Sequence, residues 1–248
     1  MDLLIVNPNS TASMTRTIEA AAKAVAAPGT RIIAATSQAG PASIEGYYDE
    51  ALSVPGLLAE IREGERAGAR AAVIACFDDT GLDAARAMAR IPVLGICEAA
   101  LSLAAFVARR FTVVTTAEAA RVPVEDLVAR YGMAGRARVR AAGMSVLSLE
   151  DPASGSGELL RGEIRAALTQ DHAEAIVLGC AGMADLARRL SEEFGVPVID
   201  GVSAAVKQAE ALAALGLFTS KRGAYAAPSP KRYSGAMASF APMPSGTE

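Results

Sequence analysis

Two hydrophobic periods alternate along this chain. Short apolar runs bounded by Gly, Pro, Asn or Ser read as buried strands, and the longer Ala-rich amphipathic stretches between them read as helices. Leu3-Leu4-Ile5-Val6 is the first run, and the turn Asn7-Pro8-Asn9-Ser10 after it supplies a helix N-cap. A helix through Ile18 and Val25 comes next, then a strand at Arg31-Ile32-Ile33-Ala34-Ala35. The Gly/Pro loop Ser37-Gln38-Ala39-Gly40-Pro41 leads to a helix from about Glu50 to Ala67. The run Ala71-Ala72-Val73-Ile74-Ala75 ends at Cys76; a helix over Leu82–Ala89 and a strand at Pro92-Val93-Leu94-Gly95-Ile96 complete the first half.

The second half repeats this scheme. Phe111-Thr112-Val113-Val114 followed by Thr115-Thr116 matches Leu3 to Val6 followed by Asn7. Ala175-Ile176-Val177-Leu178-Gly179 then ends at Cys180, with a helix over Ala184–Leu190 and a strand at Pro197-Val198-Ile199-Asp200. Such alternation predicts an α/β fold of two pseudo-symmetric lobes, each a short parallel sheet flanked by helices. The first lobe is expected over residues 1–108 and the second over 109–220, with 221–248 a C-terminal segment. The chain from about residue 210 is expected to pack back on the first lobe, and the Pro/Ser/Gly-rich end, Ala236 to Glu248, to be mobile. Ligands in open α/β sheets bind beyond the carboxyl ends of the strands, so both cysteines are expected to line one active-site cleft between the lobes.

Composition narrows the class. Of 248 residues 52% are hydrophobic and 21% charged, the profile of a globular α/β protein rather than a disordered one. No apolar run approaches the ~18 residues of a membrane span. The start, Met1-Asp2-Leu3-Leu4, lacks the basic segment of a signal peptide, which points to the cytoplasm. A net charge of -3 gives no reason to expect nucleic acid, and Arg136, Arg138 and Arg140 read as a solvated face. An odd count of three cysteines argues against a disulfide framework. The one histidine, His172, precedes the strand that ends in Cys180, so it stands about 16 Å from that thiol and reads as an exposed loop residue. One His and no closely spaced Cys pair give zinc little to bind.

Two thiols at matched strand ends suit proton transfer at a carbon acid. Racemisation beside a carbonyl needs a base on one face and an acid on the other, and the two exchange roles for the opposite enantiomer. A thiol's ordinary pKa of ~8.5 keeps both forms within reach of neutral pH. The turns Phe77-Asp78-Asp79 and Ala181-Gly182-Met183 lead toward helices, whose N-termini are expected to favour the thiolate and to offer N–H groups to an enolate oxygen. Asp78 and Asp79 act the other way on Cys76, unless they face away or cap the helix; one of them is expected to be its N-cap. Cys97 has no twin, since it aligns with Val202, and reads as a small buried residue. Lys221 and Arg222 suit either closure over a ligand or charge complementation at a helix C-terminus.

At these positions the sequence resembles the Asp/Glu/hydantoin racemase superfamily, and within it the hydantoin racemase branch that includes allantoin racemases. The resemblance is carried by Asn7-Pro8-Asn9-Ser10, Gly40-Pro41-Ala42-Ser43-Ile44-Glu45-Gly46 and Ala75-Cys76-Phe77-Asp78-Asp79-Thr80-Gly81-Leu82. It continues through Gly95-Ile96-Cys97-Glu98-Ala99-Ala100, Gly179-Cys180-Ala181-Gly182-Met183 and Thr219-Ser220-Lys221-Arg222-Gly223-Ala224-Tyr225. No single motif is decisive; their order and spacing over nearly the whole chain are.

That resemblance implies racemisation of 5-monosubstituted hydantoins with no metal and no cofactor, Cys76 and Cys180 being the two acid/base groups. It also implies that backbone amides near Phe77-Asp78 and Ala181-Gly182 hold the ring. Around it would stand Asn7, Asn9, Pro41, Ser43, Ile44, Thr115 and Thr116, and Phe77, Ile44, Tyr47 and Tyr48 are candidates for the 5-substituent pocket. One departure concerns the substrate: many allantoin racemases carry Gly-Asp-Pro-Gly where this chain has Asp78-Asp79-Thr80-Gly81. The implied partner is a small cyclic ureide, and the implied assembly a homo-oligomer. The competing readings are an allantoin racemase, a decarboxylase or isomerase of the same superfamily, and a two-lobed small-molecule binding protein with incidental cysteines.

Overall fold

Leu3 to Val6, Ala71 to Ile74 and Ala175 to Leu178 are buried at every position. Runs that are apolar on both faces need cover on both faces, which a parallel sheet between two layers of helices supplies. The computed structural model describes residues 1–242 and shows two such sheets. The first holds β1 (Asp2–Asn7), β2 (Arg31–Thr36), β3 (Ala71–Ile74) and β4 (Val93–Gly95) in the order β2-β1-β3-β4. The second holds β5 (Phe111–Thr115), β6 (Ala137–Ala141), β7 (Ala175–Leu178) and β8 (Val198–Asp200) in the equivalent order β6-β5-β7-β8, and every pairing is parallel.

Helices follow the same twofold plan: α1 (Ala12–Val25), α2 (Tyr47–Arg66), α3 (Leu82–Met88) and α4 (Ile96–Val107) in the first half, and α5 (Arg121–Arg130), α6 (Ser156–Gln170), α7 (Ala187–Phe194) and α8 (Gly201–Ala214) in the second. Alternate strand residues divide between two layers. Leu4, Val6, Ala72 and Ile74 face outward onto Leu57 and Ile61 of α2 and Ala85 of α3. Ile176 and Leu178 do the same onto Leu160 and Ile164 of α6 and Leu190 of α7. The inner faces, with Leu3, Ile5 and Val73 on one side and Phe111, Val113 and Val177 on the other, share one continuous core with α1, α4, α5 and α8.

Four details depart from the sequence reading. Strand β6 was not anticipated, because Ala137-Arg138-Val139-Arg140-Ala141 interleaves arginines with small residues as a sheet edge does. The arginines here are not simply solvated: Arg140 pairs with Asp171 and Glu163, and Arg136, just before the strand, donates to the carbonyls of Ala105 and Ala108. Helix α2 begins three residues before the predicted Glu50. The turn after Cys180 is a 3-10 helix over Ala181–Leu186, so regular α-helix begins only at Ala187.

Beyond α8 the chain runs along the first half of the molecule. Thr219 donates through N and Oγ1 to the carbonyls of Arg90 and Ile91, and Tyr225 donates to Asp83. Lys221 donates to the carbonyls of Arg86 and Ala87, the C-terminal end of α3, and so complements a helix rather than closing over the cleft. Residues of the expected mobile end form a 3-10 helix over Gly235–Phe240, where Arg62 reaches the Ser239 carbonyl and the Phe240 ring; residues 243–248 lie outside the described residues. No helix among the described residues is long and apolar enough to cross a membrane.

Candidate active site

Central strands β3 and β7 leave their sheets at equivalent points. The last ladder bonds are Ala75 N to the Val6 carbonyl and Gly179 N to the Val114 carbonyl, both 2.9 Å, and the next residue in each half is the cysteine. Both sheets present these ends to one cleft of about 600 Å³ including its open mouth, and Cys76 and Cys180 both line it. Both thiols are free, as is Cys97, which is fully buried as read from the sequence.

Of the other residues expected there, Asn9, Ile44, Phe77, Asp78, Thr115, Thr116 and Ala181 line the cleft. Asn7, Pro41, Ser43 and Gly182 stand behind it. The Asn7 amide is buried and donates to Asn9 Oδ1 (2.9 Å), the Thr11 carbonyl and Thr15 Oγ1, bracing the turn that presents Asn9. Asn9 Oδ1 accepts from Thr11 N, so it satisfies the entry to α1, whose own N-cap residue Thr11 makes no side-chain cap. The Pro41 carbonyl accepts from Ser10 N and Oγ, and Ser43 Oγ donates to Glu45 Oε1, which fixes the loop that carries Ile44. Gly182 directs its N–H at the Cys180 sulfur from below. Tyr48 is 79% exposed, and Tyr47 donates to Asp126 across an adjoining surface cleft, so neither tyrosine reaches the candidate pocket.

Sequence reasoning missed Met14, Glu50, Pro123, Val124 and Val146, which also line the cleft. The repeat held the signal. Met14 in the first turn of α1 corresponds to Pro123 and Val124 in the first turn of α5, so one half's wall predicts the other's.

Electrostatics depart from expectation. Burial pushes the Cys180 thiol up to about 11, against the pull of the Gly182 N–H. Cys76 is raised further, first by burial and then by the Asp78 carboxylate, against the pull of the Asp78 N–H. Helical N-termini do not offset this: α3 begins only at Leu82, and the 3-10 turn that starts at Ala181 supplies the Gly182 N–H to Cys180 but is outweighed by burial. Asp78 folds back on its own turn, accepting from Thr80 N and Oγ1, and burial raises its carboxyl.

Neither aspartate caps α3, whose N-cap is Gly81 in the left-handed region. Asp79, itself at φ 50°, instead caps α4: its oxygens accept from Cys97 N (2.9 Å) and Glu98 N (3.0 Å), and from Tyr131 Oη of the second half (2.7 Å). Burial outweighs those donors and lifts its carboxyl to about 7.

Two equivalent α/β halves, each delivering a thiol to a common cleft, define a class of pseudo-symmetric carbon-acid enzymes. The chain belongs to the Asp/Glu/Hydantoin racemase family, whose signature matches residues 3–209, and is a racemase, an isomerase. It is 50% identical over 242 residues to a hydantoin racemase of a Pseudomonas species, covering 97% of each chain. It is 52% identical over 236 residues to a hydantoin racemase of Rhizobium meliloti, covering 95% of this chain and 98% of that one. An allantoin racemase from Klebsiella pneumoniae superposes with a TM-score of 0.95 at 47% identity, covering 98% of this chain and 100% of the other.

Proposed function

We propose that this chain racemises 5-monosubstituted hydantoins by proton transfer between Cys76, C5 of the ring and Cys180. In one direction a Cys180 thiolate takes the C5 proton, and the electron pair passes into the adjacent carbonyl. N–H groups of the two strand-end turns hold the resulting enolate oxygen. The Cys76 thiol then gives its proton to the opposite face, leaving a Cys76 thiolate and a Cys180 thiol. The reverse direction exchanges the roles.

The observation that carries this reading is the composition of the cleft around its two thiols. Among the described residues its lining holds no Lys, Arg or His, and its ionisable members besides the thiols are Glu50 and Asp78. A free amino acid would bring a carboxylate against those acids with no cation to receive it, whereas a hydantoin ring is uncharged. Met14, Ile44, Phe77, Val124 and Val146 supply an apolar wall for a hydrocarbon 5-substituent. Asn9, Thr115 and Thr116 offer hydrogen bonds on the other side, which favours allantoin as the second substrate to try.

Polarimetry in D₂O with L-5-benzylhydantoin and, separately, (S)-allantoin tests the proposal. The preferred compound loses rotation while C5 takes up deuterium. No exchange with either compound, together with unchanged ligand affinity in Cys76→Ser and Cys180→Ser, would sink catalysis and leave a binding protein. The same reading places the enzyme in the reducing cytoplasm, where three free thiols persist. It also predicts a homo-oligomer that covers Phe106, Leu215 and Phe218, all more than two-thirds exposed, which light scattering of the purified protein would check.

A further inference from the structure

The cleft is twofold in backbone but not in charge. Three positions along each catalytic turn correspond: Cys76 to Cys180, Phe77 to Ala181, and Asp78 to Gly182. At the third position both halves present an N–H to the sulfur, and the first half adds a carboxylate. The Asp78 carboxylate lines the same cleft as Cys76 and acts on its thiol, while at the matching position Cys180 meets the Gly182 N–H and no carboxylate. A side chain at residue 182 has little room, since a Cβ there would lie 3.2 Å from Leu149 Cδ1 and 3.7 Å from Cys180 Sγ. Asp78 is held in place by Thr80, which donates to it through both N and Oγ1.

We propose that Asp78 is a positioning residue that keeps the proton on Cys76, so that in the free enzyme the thiolate forms at Cys180 and turnover starts from that side. The proposal rests on the two-thiol reading above. A carboxylate beside a thiol accepts its S–H and repels its thiolate; an N–H beside a thiol stabilises the thiolate. The surrounding groups do not reverse this. Glu50 of α2 faces Asp78 and adds negative charge on the Cys76 side, partly balanced by Arg130 of α5. Glu45 acts on Cys180, and the Cys180 sulfur in turn acts on Cys76. After one turnover Cys76 is the thiolate and Cys180 the thiol, and the resting form returns when water carries a proton from Cys180 to Cys76.

Alkylation of each cysteine, measured without substrate, separates this proposal from the choice of reaction. The full-length protein is treated with iodoacetamide between pH 6 and 10, and modification of each thiol is followed by peptide mass spectrometry. In the wild type Cys180 should react at least tenfold faster than Cys76 at neutral pH. In Asp78→Asn the Cys76 profile should move to lower pH and its neutral rate rise about tenfold, a one-unit shift, while Cys180 moves less. Asp78→Glu should restore the wild-type order. Fully buried Cys97 is the internal control, since it reacts only if the fold opens. Cys76 reacting as fast as Cys180 in the wild type, or a Cys76 profile unmoved in Asp78→Asn with Cys97 still protected, would overturn the assignment. Loss of racemisation alone would bear on the reaction and not on this point.

Discussion

The turns after β3 and β7 sit at equivalent places in equivalent sheets, yet they divide their polar work differently. In the second half the helix that follows the next strand is capped by its own N-cap residue: Asp200 Oδ1 accepts from Ser203 N at 2.7 Å. In the first half the equivalent strand end is Gly95, and the cap of α4 arrives from Asp79 on the Cys76 turn. Gly95 is what makes room, because a Cβ there would stand 2.2 Å from the Asp79 carboxyl. A repeated backbone can therefore keep its geometry while its charges migrate. Here the migration ties the Cys76 turn to a helix and to Tyr131 of the opposite half.

The largest test of that comparison is at the thiols themselves. Cys76→Ser and Cys180→Ser should each lower racemisation by at least a thousandfold, about 4 kcal/mol of barrier. Each variant should still exchange the C5 proton of one enantiomer, and opposite enantiomers in the two variants would show that the halves serve opposite faces. Next is pH. The base must be ionised, and the Cys180 thiol is held up to about 11, so kcat/KM should climb with pH above neutrality by up to tenfold per unit. A plateau already present at pH 7 would show that bound water or substrate offsets the burial.

Smaller effects distinguish the two caps. Gly95→Ala forces the Asp79 carboxyl aside and should cost about 1–3 kcal/mol by overpacking; Asp200→Ala should cost about 1 kcal/mol, the value of an ordinary cap. Urea unfolding measures both, and only the first should also depress activity. Asp79 should leave a pH signature as well. Its carboxyl titrates near 7 when folded and near 3.8 when unfolded, so between those values the folded chain holds a proton that the unfolded chain has released. Its contribution to stability falls as pH rises through that window and is level above it. Comparing unfolding at pH 5 and pH 8, Asp79→Asn should flatten this part of the dependence.

What the sequence revealed follows from where side chains point. Strands β1, β3, β5 and β7 are central, covered on both faces, and so are written as largely apolar runs, interrupted in β5 by Thr112. Edge strand β6 has one open side and carries arginines, which hid it. Both thiols were legible because they stop such runs. The difference between Asn7 and Asn9 was not, since neighbouring positions in one turn face opposite ways and only the fold decides which meets the cleft. Thiol acidity was misjudged for a similar reason: burial by the opposite half, which only the fold decides, outweighs the N–H groups that the turns offer.

The core between the sheets has a consequence for how the chain is made. Val73 on the inner face of β3 is covered by α8, a helix from residues 201–214. On a ribosome the first half therefore emerges with an open apolar wall, and it stays open until almost the entire chain has been synthesised. Contacts between such distant segments close slowly, and an uncovered sheet face invites association meanwhile. Split in the middle, the gene would yield two fragments that each lack a wall. The duplicated halves are now a single unit of folding, and neither can be inherited without the other.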